Sequence, residues 1–260
     1  GKTSTKFAIA QVLSQRYKVQ FQRGNYNDIV SVPLAYFGHE LPNIYNPLAW
    51  LAIFWKNERL LKKPYPYEIV VIELGSDAPG QMEQFNQYVH AEIGVLTAIT
   101  PEHMEFFTDL DAVAKEEMTI AAMCHKLYVN LDLVAEDYVK QLPEGKITYA
   151  VKTQADIRME NINFDQESAS FEVMRGNTKL VSAEHEQVTE PQLYSICVAS
   201  AIAAELGLSP EDIKNGIKTI KPVSGRMQQL KGKNGSIIID DTYNASPEAM
   251  KNALDTLYRL

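Results

Sequence analysis

Apolar positions change their period several times along the chain, and each change marks an element. From Thr3 to Arg16, Ile9, Val12 and Leu13 recur at helical spacing with Phe7 nearby, which predicts a helix. Lys18 to Phe21 reads as a short strand and Gly24 to Asp28 as a loop. A helix is expected from Pro47 to Leu60, because Asn46 can cap it and proline suits its first position. It carries both tryptophans, Trp50 and Trp55, and the run Lys62-Lys63-Pro64-Tyr65-Pro66 breaks it. The apolar runs Glu68–Leu74, Ile93–Ile99 and Lys126–Leu131 read as strands, with helices expected over Gln81–Tyr88 and Leu110–Met123 between them. Strands alternating with helices predict an α/β fold: a mostly parallel sheet flanked by helices.

The period then shortens to two. Between Lys146 and Glu184 the stretches ITYAV, IRMENINF, ASFEVMR and TKLVSAE predict a small antiparallel β subregion, with a turn at Arg175-Gly176-Asn177. Helices return over Gln192–Leu206 and Ser209–Lys218, the latter opening on Ser-Pro-Glu-Asp, a cap, a proline and first-turn acids. A strand at Ser236–Asp240 and a helix from about Pro247 close the chain. One strand and one helix cannot bury their own faces. Residues 1–223 are therefore expected to form one domain and residues 224–260 the start of a second α/β domain. The polar opening without methionine suggests a chain that begins inside a longer protein, with an inactive fragment as the corollary.

Composition narrows the function classes. Of 260 residues, 45% are hydrophobic, enough apolar surface to offset chain entropy, so wholesale disorder is excluded. The 25 basic and 33 acidic residues give a net charge of −8, which argues against a broadly basic nucleic-acid binder. No apolar run is long enough to cross a bilayer, so no membrane insertion is expected. Two cysteines, Cys124 and Cys197, are too few for a disulfide scaffold and read as buried thiols in a reducing compartment.

Three places concentrate chemistry. Gly1-Lys2-Thr3, directly ahead of a helix, has the form of the end of a phosphate loop: lysine neutralises outer phosphates and threonine binds Mg²⁺. Taken alone, a chance polar terminus is the favoured explanation of three residues. Glu73 leaves an apolar strand, where a carboxylate is costly to bury unless paired or metal-bound. His103, after the strand ending at Ile99, is a candidate metal ligand, although a lone loop histidine is more often only hydrogen-bonded. Finally, Ser224-Gly225-Arg226-Met227 and Asp240-Asp241-Thr242-Tyr243-Asn244-Ala245-Ser246-Pro247 set a planar cation and two carboxylates beside a wholly apolar strand.

In this order, GKTST, VIELGSDAPGQ, ITPEHMEFF, SGRM and DDTYNASP resemble the Mur ligases, ATP-dependent enzymes that extend the peptide of the cell-wall precursor. Asn25 to Pro33 looks like the corresponding segment of the members that add D-alanyl-D-alanine to UDP-N-acetylmuramoyl-tripeptide. The resemblance covers essentially the whole chain. It implies a cytoplasmic, monomeric ligase using ATP and Mg²⁺, with UDP-MurNAc-tripeptide and D-Ala-D-Ala as substrates and no nucleic acid. By position, it implies that Gly1, Lys2, Thr3 and Ser4 hold phosphate. Thr3 and Glu73 would bind one Mg²⁺ and His103 would help bind a second. Asn25 and Asn27 would lie near the reacting phosphate, Arg226 would contact nucleotide and Asp241 would take the ribose.

Two departures matter. Glu117 falls where the family usually carries a carbamylated lysine, so either its carboxylate replaces the carbamate or the second metal is lost. The amides that meet adenine are absent from Tyr194 to Ala201. Another amide ligase of the superfamily, a non-catalytic nucleotide-binding domain and a simple NTPase remain alternatives at this point.

Overall fold

A computed structural model describes residues 1–24, 27–165, 168–186, 189–243 and 247–259, the side chains of 247, 248 and 259 excepted. The first half runs α1 (Lys2–Leu13), β1 (Val19–Phe21), α2 (Ser31–Tyr36), α3 (Pro47–Leu60), β2 (Ile69–Val71), α4 (Gln81–Asn86), β3 (Ala91–Leu96) and α5 (Leu110–Met118). Then come β4 (Cys124–Asn130), α6 (Glu136–Gln141), β5 (Ile147–Ala150), β6 (Ile157–Phe164), β7 (Ser168–Arg175) and β8 (Thr178–Glu186). The last third holds α7 (Glu190–Glu205), α8 (Pro210–Lys218), β9 (Gln228–Lys231), β10 (Ile237–Asp240) and α9 (Pro247–Arg259).

The main sheet has six strands in the order β3-β4-β5-β6-β7-β8. β3 to β6 pair in parallel, and β6, β7 and β8 form an antiparallel meander. The α/β class expected from the sequence is observed, with one correction. Ile147–Ala150, grouped above with the antiparallel strands, pairs in parallel on both sides, Tyr128 with Ile147 and Tyr149 with Ile157. α6 supplies the crossover that a parallel neighbour needs. It escaped the sequence reading because its six residues span fewer than two turns. The antiparallel pair of β9 with β10 was half seen, since Gln228–Lys231 has no apolar alternation.

α7 is the central helix. Residues 193–203 are all buried, as a helix without a solvent face requires. One side packs on β5 to β8 and another on α1, where the Thr5 and Ser195 hydroxyls lie 3.0 Å apart. At its start Gln192 Oε1 accepts the Thr189 N–H at 2.8 Å, one half of a capping box. α8 crosses α1 at Gly216, where an added Cβ would sit 2.7 Å from the Cα of Val12, so only glycine permits that approach. The opposite sheet face buries Leu96, Leu127 and Val129 against Ala114 of α5 and Val139 of α6.

β1 and β2 form a separate parallel pair. Among the described residues β2 pairs only with β1 and β3 only with β4, so their other edges are unpartnered. Between them lies a cavity of about 490 Å³, lined by consecutive residues of both strands, Glu68–Leu74 and Ala91–Thr97, and closed by α1 and α7. It runs beneath the first turn of α1, where Lys2 and Lys6 line it.

Candidate active site at the start of α1

The first turn of α1 faces the chain leaving β2. Glu73 lies two residues beyond that strand and is 6% exposed. Its Oε1 accepts from the Thr3 hydroxyl at 3.0 Å and from Asn27 Nδ2 at 3.3 Å. Lys6 Nζ stands 3.1 Å from Oε2 as its ion-pair partner. The Glu73 backbone N–H donates to Gln22 Oε1 at 2.6 Å, which fixes the peptide carrying the carboxylate. Gly75 makes room for Asn27: a Cβ there would meet Asn27 Nδ2 at 2.3 Å.

A buried carboxylate needs such partners, because stripping water from an unpaired charge costs several kcal/mol. Lys6 is equally buried, at 3% exposure, and also donates to the Gly24 carbonyl. Burial pushes its ammonium below the ordinary lysine value, and Glu73 opposes the shift. Lys2 behaves differently. Burial lowers it, but Glu117 at 2.8 Å, with Glu102 and Glu73 behind, more than offsets this and holds it above the usual value. Glu117 sits on α5, so the ion pair ties that helix to the first turn of α1.

Lys2, Thr3, Asn27, Glu73 and Glu117 are thus brought together, with Gly1 as the N-cap of α1. Asn25 lies outside the described residues. Ser4 turns to another face of α1, toward Gln192, Ser195 and Pro222. His103 has left-handed backbone (φ 54°), and its Nε2 lies 3.4 Å from Asp77 on the loop that follows Glu73. It makes no hydrogen bond or ion pair with Lys2, Thr3 or Glu73 among the described residues, although its neighbour Glu102 is within electrostatic reach of Lys2.

Arg226 and Asp241 form a second group beside Gly1. The Arg226 guanidinium stacks on Tyr243 at 3.8 Å and is within electrostatic reach of Gly1. Asp241 Oδ1 accepts the Met227 N–H at 3.0 Å. Burial lifts its carboxyl above the ordinary aspartate value, against the Met227 N–H and Arg226.

Sequence reasoning missed three site residues. Lys6 could have been found, since it follows Thr3 by three positions and so shares its helix face. Gln22 gave no signal. Glu116 was overshadowed by Glu117, yet it is the more buried of the two. It accepts from Ser76 Oγ, Gly80 N and Met82 N at 2.9, 2.8 and 2.6 Å, fixing the loop between Glu73 and α4.

The donor set suits a small hard cation. Thr3 Oγ1 and the under-satisfied Glu73 Oε2 are oxygen ligands of the kind Mg²⁺ takes in small number beside phosphate and water. A complete protein cage is not present: no group of three or more His, Cys, Asp or Glu among the described residues is arranged to hold a metal.

A helix whose first turn offers Lys and Thr beside an acidic strand exit is an arrangement by which an α/β protein can meet a phosphate. The family is shown by comparison: the family model of the Mur ligase middle domain matches residues 1–203, and the chain belongs to that family. It is 25% identical over 257 residues to the UDP-N-acetylmuramoyl-tripeptide–D-alanyl-D-alanine ligase of Bacillus subtilis strain 168, covering 98% of this chain and 50% of that protein. It is 21% identical over 269 residues to the UDP-N-acetylmuramoyl-L-alanyl-D-glutamate–2,6-diaminopimelate ligase of Halalkalibacterium halodurans, covering 100% and 52%. The crystal structure of MurF ligase from Thermotoga maritima in complex with ADP superposes with a TM-score of 0.77 at 21% identity, covering all of this chain and 55% of that one. The chain spans about half the length of the curated relatives it matches.

Proposed function

We propose that this chain is the ATP-binding centre of an amide ligase that adds D-alanyl-D-alanine to UDP-N-acetylmuramoyl-tripeptide through an acyl phosphate. The observation that carries the reading is the convergence of Thr3 and Lys6 on the buried Glu73, with Lys2 held beside them by Glu117. The D-alanyl-D-alanine-adding branch is supported by the Asn25–Pro33 segment, whose Asn27 reaches Glu73, and by the relative from Bacillus subtilis.

Residues 1–223 would form the ATP-binding domain and residues 224–260 the first part of the next. The cleft between the β2 and β3 edges supports this reading. Its walls are the unpaired edges of β2 and β3, and it runs under the first turn of α1, where Lys2 and Lys6 line it.

In the reaction, a tripeptide carboxylate oxygen attacks the γ-phosphorus of ATP and ADP leaves. The neutral amine of D-alanyl-D-alanine then attacks the activated carbonyl, inorganic phosphate leaves and the amine loses its proton. Lys2 swings from Glu117 to the phosphate oxygens, and Asn27 orients Glu73. Arg226 donates to nucleotide and Asp241 accepts from ribose. Thr3 and Glu73 would hold Mg²⁺, which when bound offsets the negative charge of the phosphates. His103 would serve a second cation from the loop above Asp77.

A second reading, a nucleotide-binding domain without catalysis, is favoured by the Lys2–Glu117 pair, which occupies the phosphate lysine. Phosphate release by the full-length protein separates the readings. Release dependent on ATP, UDP-MurNAc-tripeptide and D-alanyl-D-alanine together supports the proposal, and loss of that activity in Glu117→Ala places Glu117 in the mechanism. Turnover with diaminopimelate as the only acceptor, hydrolysis without any acceptor, or no turnover at all would overturn the proposal.

A further inference from the structure

α3 is the part of the molecule that the nucleotide site leaves unexplained. Of its fourteen residues only Ile53 is buried. Asn57 anchors it through a 2.7 Å bond to His39, and among the described residues no helix or strand packs extensively along it. Its outer face carries Leu48, Leu51, Phe54 and Trp55, at 75%, 62%, 59% and 56% exposure, and Tyr45 and Leu61 extend the patch at either end. At 100° per residue these four helical side chains fall on one side, opposite the Ile53 side that touches the body.

Charge identifies what covers this face. Between residues 56 and 63 stand Lys56, Arg59, Lys62 and Lys63 against the single acid Glu58, in a chain whose net charge is −8. Arg59 stacks on Trp55 at 3.4 Å, which places a guanidinium at the rim of the apolar face. Glu58 falls on the same side as Leu51 and Phe54, so the apolar face fills the first turns of the helix and the basic residues gather at its C-terminal end and just past it. Bulky apolar and aromatic side chains running into a basic cluster fit a helix lying in a bilayer interface. Its rings enter the acyl boundary and its lysines reach acidic headgroups. Small residues, which would let a partner helix approach closely, are missing from the outer face apart from Ala52 at its margin.

We infer that α3 docks the protein peripherally on a membrane surface containing anionic lipid. This inference is independent of the ligase reading. It implies contact with the headgroup layer and not a span; no helix among the described residues is long and apolar enough to cross a membrane.

Trp50 and Trp55 are the chain's only tryptophans, so emission excited selectively at tryptophan reports on α3 alone. The full protein is mixed with phosphatidylcholine vesicles with or without a minority of phosphatidylglycerol. The expected result is a blue shift and co-sedimentation with the anionic vesicles, weakened by salt. Lys62→Glu with Lys63→Glu should lower partitioning by at least about tenfold. Leu51→Glu with Phe54→Glu should abolish it, with circular dichroism and nucleotide binding unchanged. An unshifted emission, binding to neutral vesicles that ignores salt, or a lipid-free dimer that already buries both tryptophans would overturn the inference.

Discussion

Replacing Lys6 by methionine tests whether the buried carboxylate at the strand exit is held by charge. The substitution keeps most of the side chain's length, one atom short, and removes an ammonium 3.1 Å from Glu73 Oε2, with both side chains almost wholly out of water. At an effective dielectric of about 20, the lost attraction is about 5 kcal/mol. Part of it is offset because Lys6 no longer has to be desolvated, but Glu73 keeps its own desolvation cost. Removing one partner of a buried pair typically destabilises by about 3–5 kcal/mol. In a chain of this size each kcal/mol lowers the melting temperature by about 2–4 °C, so the loss is large enough to measure. The assay is urea unfolding of wild type, Lys6→Met, Glu73→Gln and the double variant. The pair should show a coupling of at least about 2 kcal/mol, with the double variant more stable than Lys6→Met alone, because glutamine still accepts from Thr3 and carries no charge. Additive losses, or a Lys6→Met cost below about 1 kcal/mol, would refute the reasoning.

Glu116→Ala strips acceptors from Ser76 Oγ, Gly80 N and Met82 N, and is expected to cost roughly 2–4 kcal/mol; faster hydrogen exchange at the Gly80 and Met82 amides would localise the loss. Gly216→Ala forces a Cβ to within 2.7 Å of Val12 Cα, and backbone cannot yield as a side-chain tip can. Overpacking costs about 1–3 kcal/mol, against a gain of about 1 from helix propensity, so a net loss in thermal denaturation is expected. Glu205 is the pH test. Burial raises its carboxyl, but Lys126, the Tyr128 hydroxyl at 2.6 Å and Arg175 outweigh this and hold it below its ordinary value of 4.5. Its stabilisation is therefore complete above that value and fades as pH falls through the lower folded value. The stability gap between wild type and Glu205→Gln should close on acidification; a gap that widened would contradict the assignment.

The fold was readable wherever period and punctuation agreed. Asn46 and Pro47 fixed the start of α3, where Asn46 Oδ1 accepts the Ala49 N–H, and Ser209 with Asp212 closed a capping box at α8. Some short elements were missed for lack of period, although α4, equally short, was expected. α2 and α6 have six residues each, and the strand expected through Leu74 stops pairing at Val71. Parallel and antiparallel partners cannot be told apart inside one strand, so β5 was misassigned with its alternating neighbours. In the site, Lys2 and Thr3 stood out because they open a helix and Glu73 because it leaves an apolar strand, whereas Glu117 came only from the resemblance, by its count from His103. Lys6, Gln22 and Glu116 did not stand out, because their roles come from burial and long-range partners.

The central claim is that Thr3 and Glu73 together receive the cation that accompanies ATP. The direct measurement is a fluorescent ATP titration with and without Mg²⁺, in wild type and in Glu73→Gln. The account predicts that Mg²⁺ tightens wild-type binding by about tenfold or more and leaves Glu73→Gln nearly unchanged. An undiminished Mg²⁺ effect in Glu73→Gln would contradict it.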